Sequence, residues 1–386
     1  MKNMFFCIAC LLLVVGCSDS GENQGTLPND DGGGNPPPPP PPPPELPLDL
    51  LTGKIFFTVS YNLNEALDEL YCIEFPDLEP KKIPIQLDWR AYMDVSPVGG
   101  IILGHQQNAF RDYITDTTFF DYTGKILYRT DISGEEYFWT NDGEFVYFGS
   151  YYDGIYEINT NTWSRIRLLQ SKQNTYDHSV SVSPNSETLA WSHREWGHNL
   201  TVYQVPFAHR PFTYNNAEII LTTSTRIFNE MQHPFFLDNT HYTISASDVA
   251  GEYTTHPHHP SWYTSSMYEI DSVTKNVTTA DQVDRLDSFF YSRDMSRIVY
   301  THWVLDFSVV DAQSKASVSV REDLSNCYSE NVAWSIDDRF ICYECDNSKD
   351  NFVNNRWIII YSFADRYGWE ICRFPGTYIG WIRWVE

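Results

Sequence analysis

Long amphipathic helical patterns are missing from this sequence, which removes helix bundles and α/β folds from consideration. Basic residues are also scarce: 26 Lys and Arg stand against 51 Asp and Glu, a formal net charge of -25. A surface of that sign repels phosphate backbones and anionic lipid. It argues against a nucleic-acid partner and suits a cationic partner or a divalent ion. The apolar run from Met4 to Val15 is too short to span a bilayer stably. Beyond that leader, Cys342-Tyr-Glu-Cys345 is the sole CxxC. It continues the strand-like Arg339-Phe-Ile, and no second pair completes a zinc site, so packed structural cysteines are expected. Aromatics are abundant, with 12 Trp, 25 Tyr and 23 Phe. Sheets favour such residues, and stacking platforms for sugars are the sharper alternative.

The first fifty residues cannot build a core. Lys2 precedes the short apolar run, which ends in Val14-Val15-Gly16-Cys17. This resembles the lipobox of bacterial lipoproteins, in which the signal is removed before the Cys and the Cys carries the lipid. The resemblance implies a signal peptide over 1–16, lipid on Cys17 and membrane attachment without a spanning helix. Ser18 after the Cys implies passage to the outer membrane. Residues 17–50 then read as a tether: a flexible Gly/Asn/Asp stretch, and nine prolines from Pro36 to Pro44 that extend about 28 Å as polyproline II. Eight cysteines leave five beyond Cys17: Cys72, Cys327, Cys342, Cys345 and Cys372. Export permits disulfides, but an odd count leaves at least one unpaired within the chain.

Residues 51–386 repeat. An apolar strand, a tight polar turn and a second apolar strand recur around Ser96, Thr140, Ser183, Leu237, Ser292 and Ser335. These anchors lie 44, 43, 54, 55 and 43 residues apart. Each hairpin is followed by two more strand-like runs, such as GIYEIN and SRIRLLQ. Four short strands per period of about 40–50 residues is the pattern of a β-propeller. The chain opens with three strands that lack a first (53–61, 69–75, 81–87) and ends on one lone strand (380–386). Together they complete a blade and close the ring. An all-β, seven-bladed propeller is expected, or a six-bladed one if a weak unit is not a blade, and a monomer in either case. The Ser-Pro-Asn-Ser-x-x-Leu-Ala-Trp type of unit (183–191) resembles the TolB-like (WD40-like) propeller repeat. That resemblance implies a platform for binding protein or ligand. The peptidases that share such a propeller need a Gly-x-Ser-x-Gly elbow in a separate domain, and this chain has none.

With strands A to D numbered from the channel outward, the D-to-A and B-to-C connections share one face. His105, His193, His198, His256, His258, His259 and His302 map to B-to-C connections, and His178 and His233 to entries into strand A. Only His209 and His241 map to the other face. The position five before each anchor should ring the channel mouth: Ala91, Glu135, His178, Gln232, Asp287 and Glu330, with His233 adjacent. Glu135, His178, His233, Asp287 and Glu330 are candidate ligands for a divalent metal; a solvated polar funnel is the alternative. Candidate ligand-binding residues are His105, His178, Gln232, His233 and His302, with Trp262 and Tyr263 of the long insertion 248–268. The expected role is a lipid-anchored binding or scaffolding module for an envelope protein or glycan. The enzymatic alternative is a uronate lyase, whose chemistry needs a base, an acid and a cation for the carboxylate. His178 or His193, Tyr151 and Arg194 could serve. Met231-Gln232-His233-Pro234 faintly resembles the entry to an inner strand in oligogalacturonate lyases, which implies a metal held by His and Gln. Asp287 and Glu330 depart from that family where more histidines are wanted.

Overall fold

Seven antiparallel sheets of four strands radiate from a common axis in the computed structural model of the chain. It describes residue 42 and residues 44–61, 67–88, 92–107, 115–132, 134, 137–150, 153–172, 175–195, 200–223, 234–249, 263–284, 286–302, 306–318, 332–346, 355–375 and 378–386. Blade 1 takes strand A from Tyr378–Val385 and strands B to D from Lys54–Ser60, Leu67–Glu74 and Asp77–Asp88. The others follow in chain order. Blade 2 is Met93–Val95, Ile102–Gln107, Thr115–Phe120 and Ile126–Thr130; blade 3 is Tyr137–Trp139, Phe145–Ser150, Gly154–Asn159 and Ser164–Gln170. Blade 4 is Thr175–Val182, Thr188–Glu195, Leu200–Pro206 and Glu218–Thr222, and blade 5 is Phe235–Phe236, His241–Val249, Tyr263–Asp271 and Val277–Asp284. Blade 6 is Leu286–Tyr291, Arg297–His302, Asp306–Asp311 and Ser317–Val318, and blade 7 is Val332–Trp334, Phe340–Asp346, Asn355–Ser362 and Tyr367–Pro375. The chain is a seven-bladed β-propeller. Among the described residues no helix is long and apolar enough to cross a membrane.

The strands read as nearly continuous apolar runs because both faces of each blade are covered. Side chains alternate across a strand. Phe57 therefore packs with Ile358 and Ile360 of blade 7, while its neighbour Phe56 packs with Met93 and Ile102 of blade 2. Much of the aromatic content serves these seams. Trp191 is fully buried and stacks on Tyr203 at 5.2 Å, and Trp163 stacks on Tyr128 at 5.4 Å.

Every repeat anchor falls on the residue after strand A. Ser96, Thr140, Ser183, Ser292 and Ser335 each donate a backbone N–H across the turn, to the carbonyls of Ile101, Phe145, Thr188, Arg297 and Phe340. Where the turn reads Ser/Thr-x-Asn/Asp, the hydroxyl donates to the acid or amide two residues on, as Ser183 Oγ does to Asn185 at 2.7 Å and Ser292 Oγ to Asp294 at 2.7 Å. The same oxygen accepts the N–H five residues on: Thr188 to Ser183 at 3.0 Å, Arg297 to Ser292 at 2.9 Å, Phe340 to Ser335 at 3.0 Å. The fourth residue of the turn takes positive φ: Gly99 at 77°, Gly143 at 69°, Ser186 at 56°, Met295 at 58° and Asp338 at 58°. Only glycine adopts that conformation without cost.

The chain enters the propeller on the face formed by these A–B and C–D turns. Three carbonyls of the entering segment are held by side chains of blades 7 and 1. Trp369 Nε1 donates to Pro44 O at 2.8 Å, Arg339 Nη2 to Leu50 O at 3.2 Å, and Trp384 Nε1 to Thr52 O at 2.8 Å. Leu46 packs on the core between those blades. At the seam between blades 1 and 2, Arg383 of the C-terminal strand donates through Nε to Asp94 Oδ1 at 2.7 Å.

Cys342 and Cys345 both lie in strand B of blade 7, three residues apart and so on opposite faces. Cys342 is free and buried, with Cys72 and Cys372 also free, whereas Cys345 is disulfide-bonded. Burial pushes the Cys72 thiol up to about 11 and that of Cys372 to about 12, so both stay protonated at neutral pH.

Candidate functional site

Strand direction assigns the D–A and B–C connections to the face opposite the chain's entry. Three of the seven inner strands that lead away from that face carry an irregularity. Strand A of blade 4 is bulged between His178 and Val180, strand A of blade 6 between Leu286 and Ser288, and the C-terminal strand around Trp381. Ser179 and Trp381 take φ of 52° and 28°. A bulge inserts one residue, re-aims the side chains beside it and is over-represented next to active sites. His178 and Asp287, candidates from the sequence, stand at two of the three bulges.

Of the sequence candidates, His105, His193, Arg194 and His302 are described in full. For His178, Tyr263 and Asp287 the backbone alone is described, in inner strands for His178 and Asp287 and in strand C of blade 5 for Tyr263. Tyr151, Gln232, His233, Trp262, Glu135, Glu330 and Cys17 lie outside the described residues. His105, His193 and His302 stand in strand B of blades 2, 4 and 6, so the fold spreads them round the ring. Among the described residues no group of three His, Cys, Asp or Glu side chains comes together as metal ligands.

His105 is 8% exposed, and its Nε2 meets the Tyr137 hydroxyl at 2.8 Å across the seam between blades 2 and 3. Tyr137 also accepts the Gly134 N–H at 2.9 Å. Burial holds the imidazole low, at about 4, so it is neutral at physiological pH. His302 is half-buried and meets Ser308 Oγ at 3.1 Å.

His193 belongs to a tighter group. Asp177 is fully buried in strand A of blade 4; its Oδ1 accepts from His193 Nδ1 at 2.8 Å and from Trp191 Nε1 at 3.0 Å. Its Oδ2 accepts from Ser171 Oγ at 2.5 Å and from the Tyr214 hydroxyl. Burial alone would raise the Asp177 carboxyl; the bonds from His193, Ser171 and Tyr214 outweigh it and hold the group below its usual range. Tyr214 gets there because residues 207–217 depart from the short C–D turn of other blades and wedge against blade 3. There Phe212 N–H bonds Leu168 O at 2.9 Å and Arg210 Nη2 donates to Glu157 at 2.6 Å. The carboxylate fixes the His193 ring through Nδ1 and turns Nε2 away from it. That is the orientation an imidazole needs to act as a base, here on a ring that is 3% exposed and packed edge-on against Tyr203 and Tyr214. Arg194, the next strand residue, projects from the opposite face. The structure therefore separates these two candidates for one pocket. Sequence reading passed over Asp177, although Tyr176-Asp177-His178 places it beside a candidate.

No family model and no curated protein matches the sequence. Solved structures do. An oligogalacturonate lyase in complex with manganese superposes with a TM-score of 0.51 at 9% identity, over 84% of this chain and 86% of that one. A second oligogalacturonate lyase, from Vibrio parahaemolyticus, gives 0.52 at 10% identity, over 83% and 86%. TolB from Acinetobacter baumannii gives 0.49 at 12% identity, over 86% and 82%. At these identities the likeness establishes the propeller fold and nothing finer.

Proposed function

We propose that this protein is a membrane-anchored propeller of the cell envelope that binds a protein or glycan partner through the face bearing the D–A and B–C connections. The observation that carries the reading is the position of the entering segment. Residues 44–52 bond to Trp369, Arg339 and Trp384 on the turn face. The opposite face stays clear of the chain's own entry, and nine of the eleven histidines map toward it. Lipid on Cys17, by its resemblance to the lipobox, supplies the anchor at the outer membrane. Cys17→Ala is expected to move the protein from the membrane fraction to the soluble fraction; unchanged fractionation sinks the anchor.

The second reading is a uronate lyase, favoured by the Asp177-oriented His193 and by the shared fold of the two oligogalacturonate lyases. Glu135, His178, Gln232, His233, Asp287 and Glu330 offer the carboxylate, amide and imidazole donors that a divalent cation takes, and such an ion would neutralise a uronate carboxylate. Metal content of the protein purified without chelator or His tag, beside a His178→Ala/His233→Ala variant, separates the readings. Stoichiometric metal lost in the variant supports the lyase and calls for assay on uronate glycans. Absence of metal from both leaves the binding module, to be pursued by pull-down from envelope extracts.

A further inference from the structure

The seam between blades 7 and 1 carries a second feature on the B–C side. Among the large apolar side chains left exposed, Val98, Val273, Leu48 and Leu50 lie on the turn face, and Ile126, Ile166 and Ile219 lie on outer strands. Tyr61, 41% exposed, and Leu67, 39% exposed, instead flank the B–C connection of blade 1. Tyr61 follows strand B and Leu67 opens strand C, with Glu69 and Tyr71 on the same face of that strand as Leu67.

These side chains form an ordered relay. Tyr71 donates its hydroxyl proton to Glu69 Oε2 at 2.9 Å. Its oxygen is then free to accept, and Tyr61 donates to it at 2.6 Å. Lys82, paired with Tyr71 across the strands, forms an ion pair with the other Glu69 oxygen. The Tyr71 ring is fixed from behind by Phe57, stacked at 5.8 Å, and by Phe374 of blade 7 at 5.2 Å. The packed Tyr71 ring thus offers the exposed Tyr61 a fixed hydrogen-bond partner, which lowers the rotamer cost of binding at Tyr61. The two hydroxyls are spent on each other and on Glu69, which leaves the exposed Tyr61 ring as the recognition surface.

We propose that this aromatic patch at Tyr61 binds a neutral pyranose. An aromatic face carries negative charge density, and the axial C–H face of a pyranose is apolar with a slightly positive edge, so the two stack. Ring hydroxyls of the sugar reach the rim, where the exposed Lys82 ammonium and the Glu69 carboxylate offer a donor and an acceptor. The Lys82–Glu69 pair is neutral beside these rings within a chain of net charge -25. Among the described residues around these rings the cation, Lys82, is already paired with Glu69, so an acidic sugar pays repulsion from the acidic surface without a free counter-charge among them. The inference stands independently of the metal site and of the lyase reading.

The test titrates the full chain with neutral glucose, mannose and galactose hexasaccharides and with hexagalacturonate, by calorimetry and by tyrosine fluorescence. Tyr61→Ala, Tyr61→Phe and, as a distant surface control, Ile219→Ala are compared. At least one neutral hexasaccharide is expected to saturate. Tyr61→Ala should weaken it at least tenfold, with Tyr61→Phe within about threefold and Ile219→Ala unchanged. Lack of saturation by every neutral sugar, an unaffected Tyr61→Ala, or tighter binding of hexagalacturonate at this patch would each overturn the proposal. The metal measurement and the pull-down above are unaffected by any of these outcomes.

Discussion

His105 gives the protein a pH response that belongs to one side chain. Folded, its pKa is about 4 against an ordinary 6.5, because burial disfavours the imidazolium. The unfolded chain therefore binds the proton more readily, and stability falls as pH drops. The penalty is absent above about 6.5, grows below it and is complete near 4; its full size is about 3 kcal/mol. His105→Gln keeps a polar contact for Tyr137 and removes the titration. Urea midpoints between pH 7 and pH 4 should fall less steeply in that variant, and parallel slopes would remove His105 as the cause. His193 differs in kind, since its partner is a carboxylate saturated by four donors, and its position is set before any ligand arrives.

At the scale of the element, the repeated turn is the unit of construction. The hydroxyls of Ser183, Ser292 and Ser335 each donate to a side chain and accept a backbone N–H, so Ser→Ala at any of them should cost about 1 kcal/mol. Ser96 is the internal control. Val98 stands where the other turns carry Asn or Asp, and the Ser96 hydroxyl is buried without a hydrogen-bond partner among the described residues. Ser96→Ala should be neutral or stabilising, and a cost equal to that of Ser183→Ala in thermal unfolding would refute the account. These turns are also where carboxylates are held low. Asp142 and Asp294 fall below their usual range chiefly through Thr140 and Ser292, and Asp238 reaches about 2 through the backbone N–H groups of Thr240 and His241 in spite of burial. Their support is intact above the ordinary carboxylate range and is lost as pH falls through these lowered values. The turns were legible in sequence because every bond in them spans five residues or fewer, so Ser-Pro-Asn-Ser carries its own geometry wherever it occurs.

For the whole molecule, integrity rests on closure of the ring by strand pairing. Strand A of blade 1 comes from the far end of the chain and pairs Lys54 with Val385 through Ser60 with Tyr378. Arg383 extends that closure to blade 2 by its bond to Asp94, two side chains 23% and 14% exposed. Arg383→Ala leaves Asp94 facing a seam with no cation and should cost about 2 kcal/mol, less than for a fully buried pair because water reaches both groups. Asp94→Asn/Arg383→Met should recover part of it. A double variant as unstable as the single one in chemical unfolding would mean that packing, rather than charge, closes the ring.

The sequence alone determined the blade count, the strand order and the closing strand. Period-2 alternation and local turn chemistry act over a few residues, and seven copies of one unit leave few ways to bury both faces of each sheet. Counting strands also maps nine of the eleven histidines toward one face as an expectation, and of these the described His105, His178, His193 and His302 stand in inner strands A and B. Tertiary structure alone decided which of those residues meet. Asp177 finds Tyr214 across 37 residues and Arg383 finds Asp94 across 289, and the relay from Lys82 to Tyr61 forms only once strands B, C and D of blade 1 are in register. Such pairings depend on how neighbouring blades pack against each other and on where bulges turn a side chain, which no local pattern encodes.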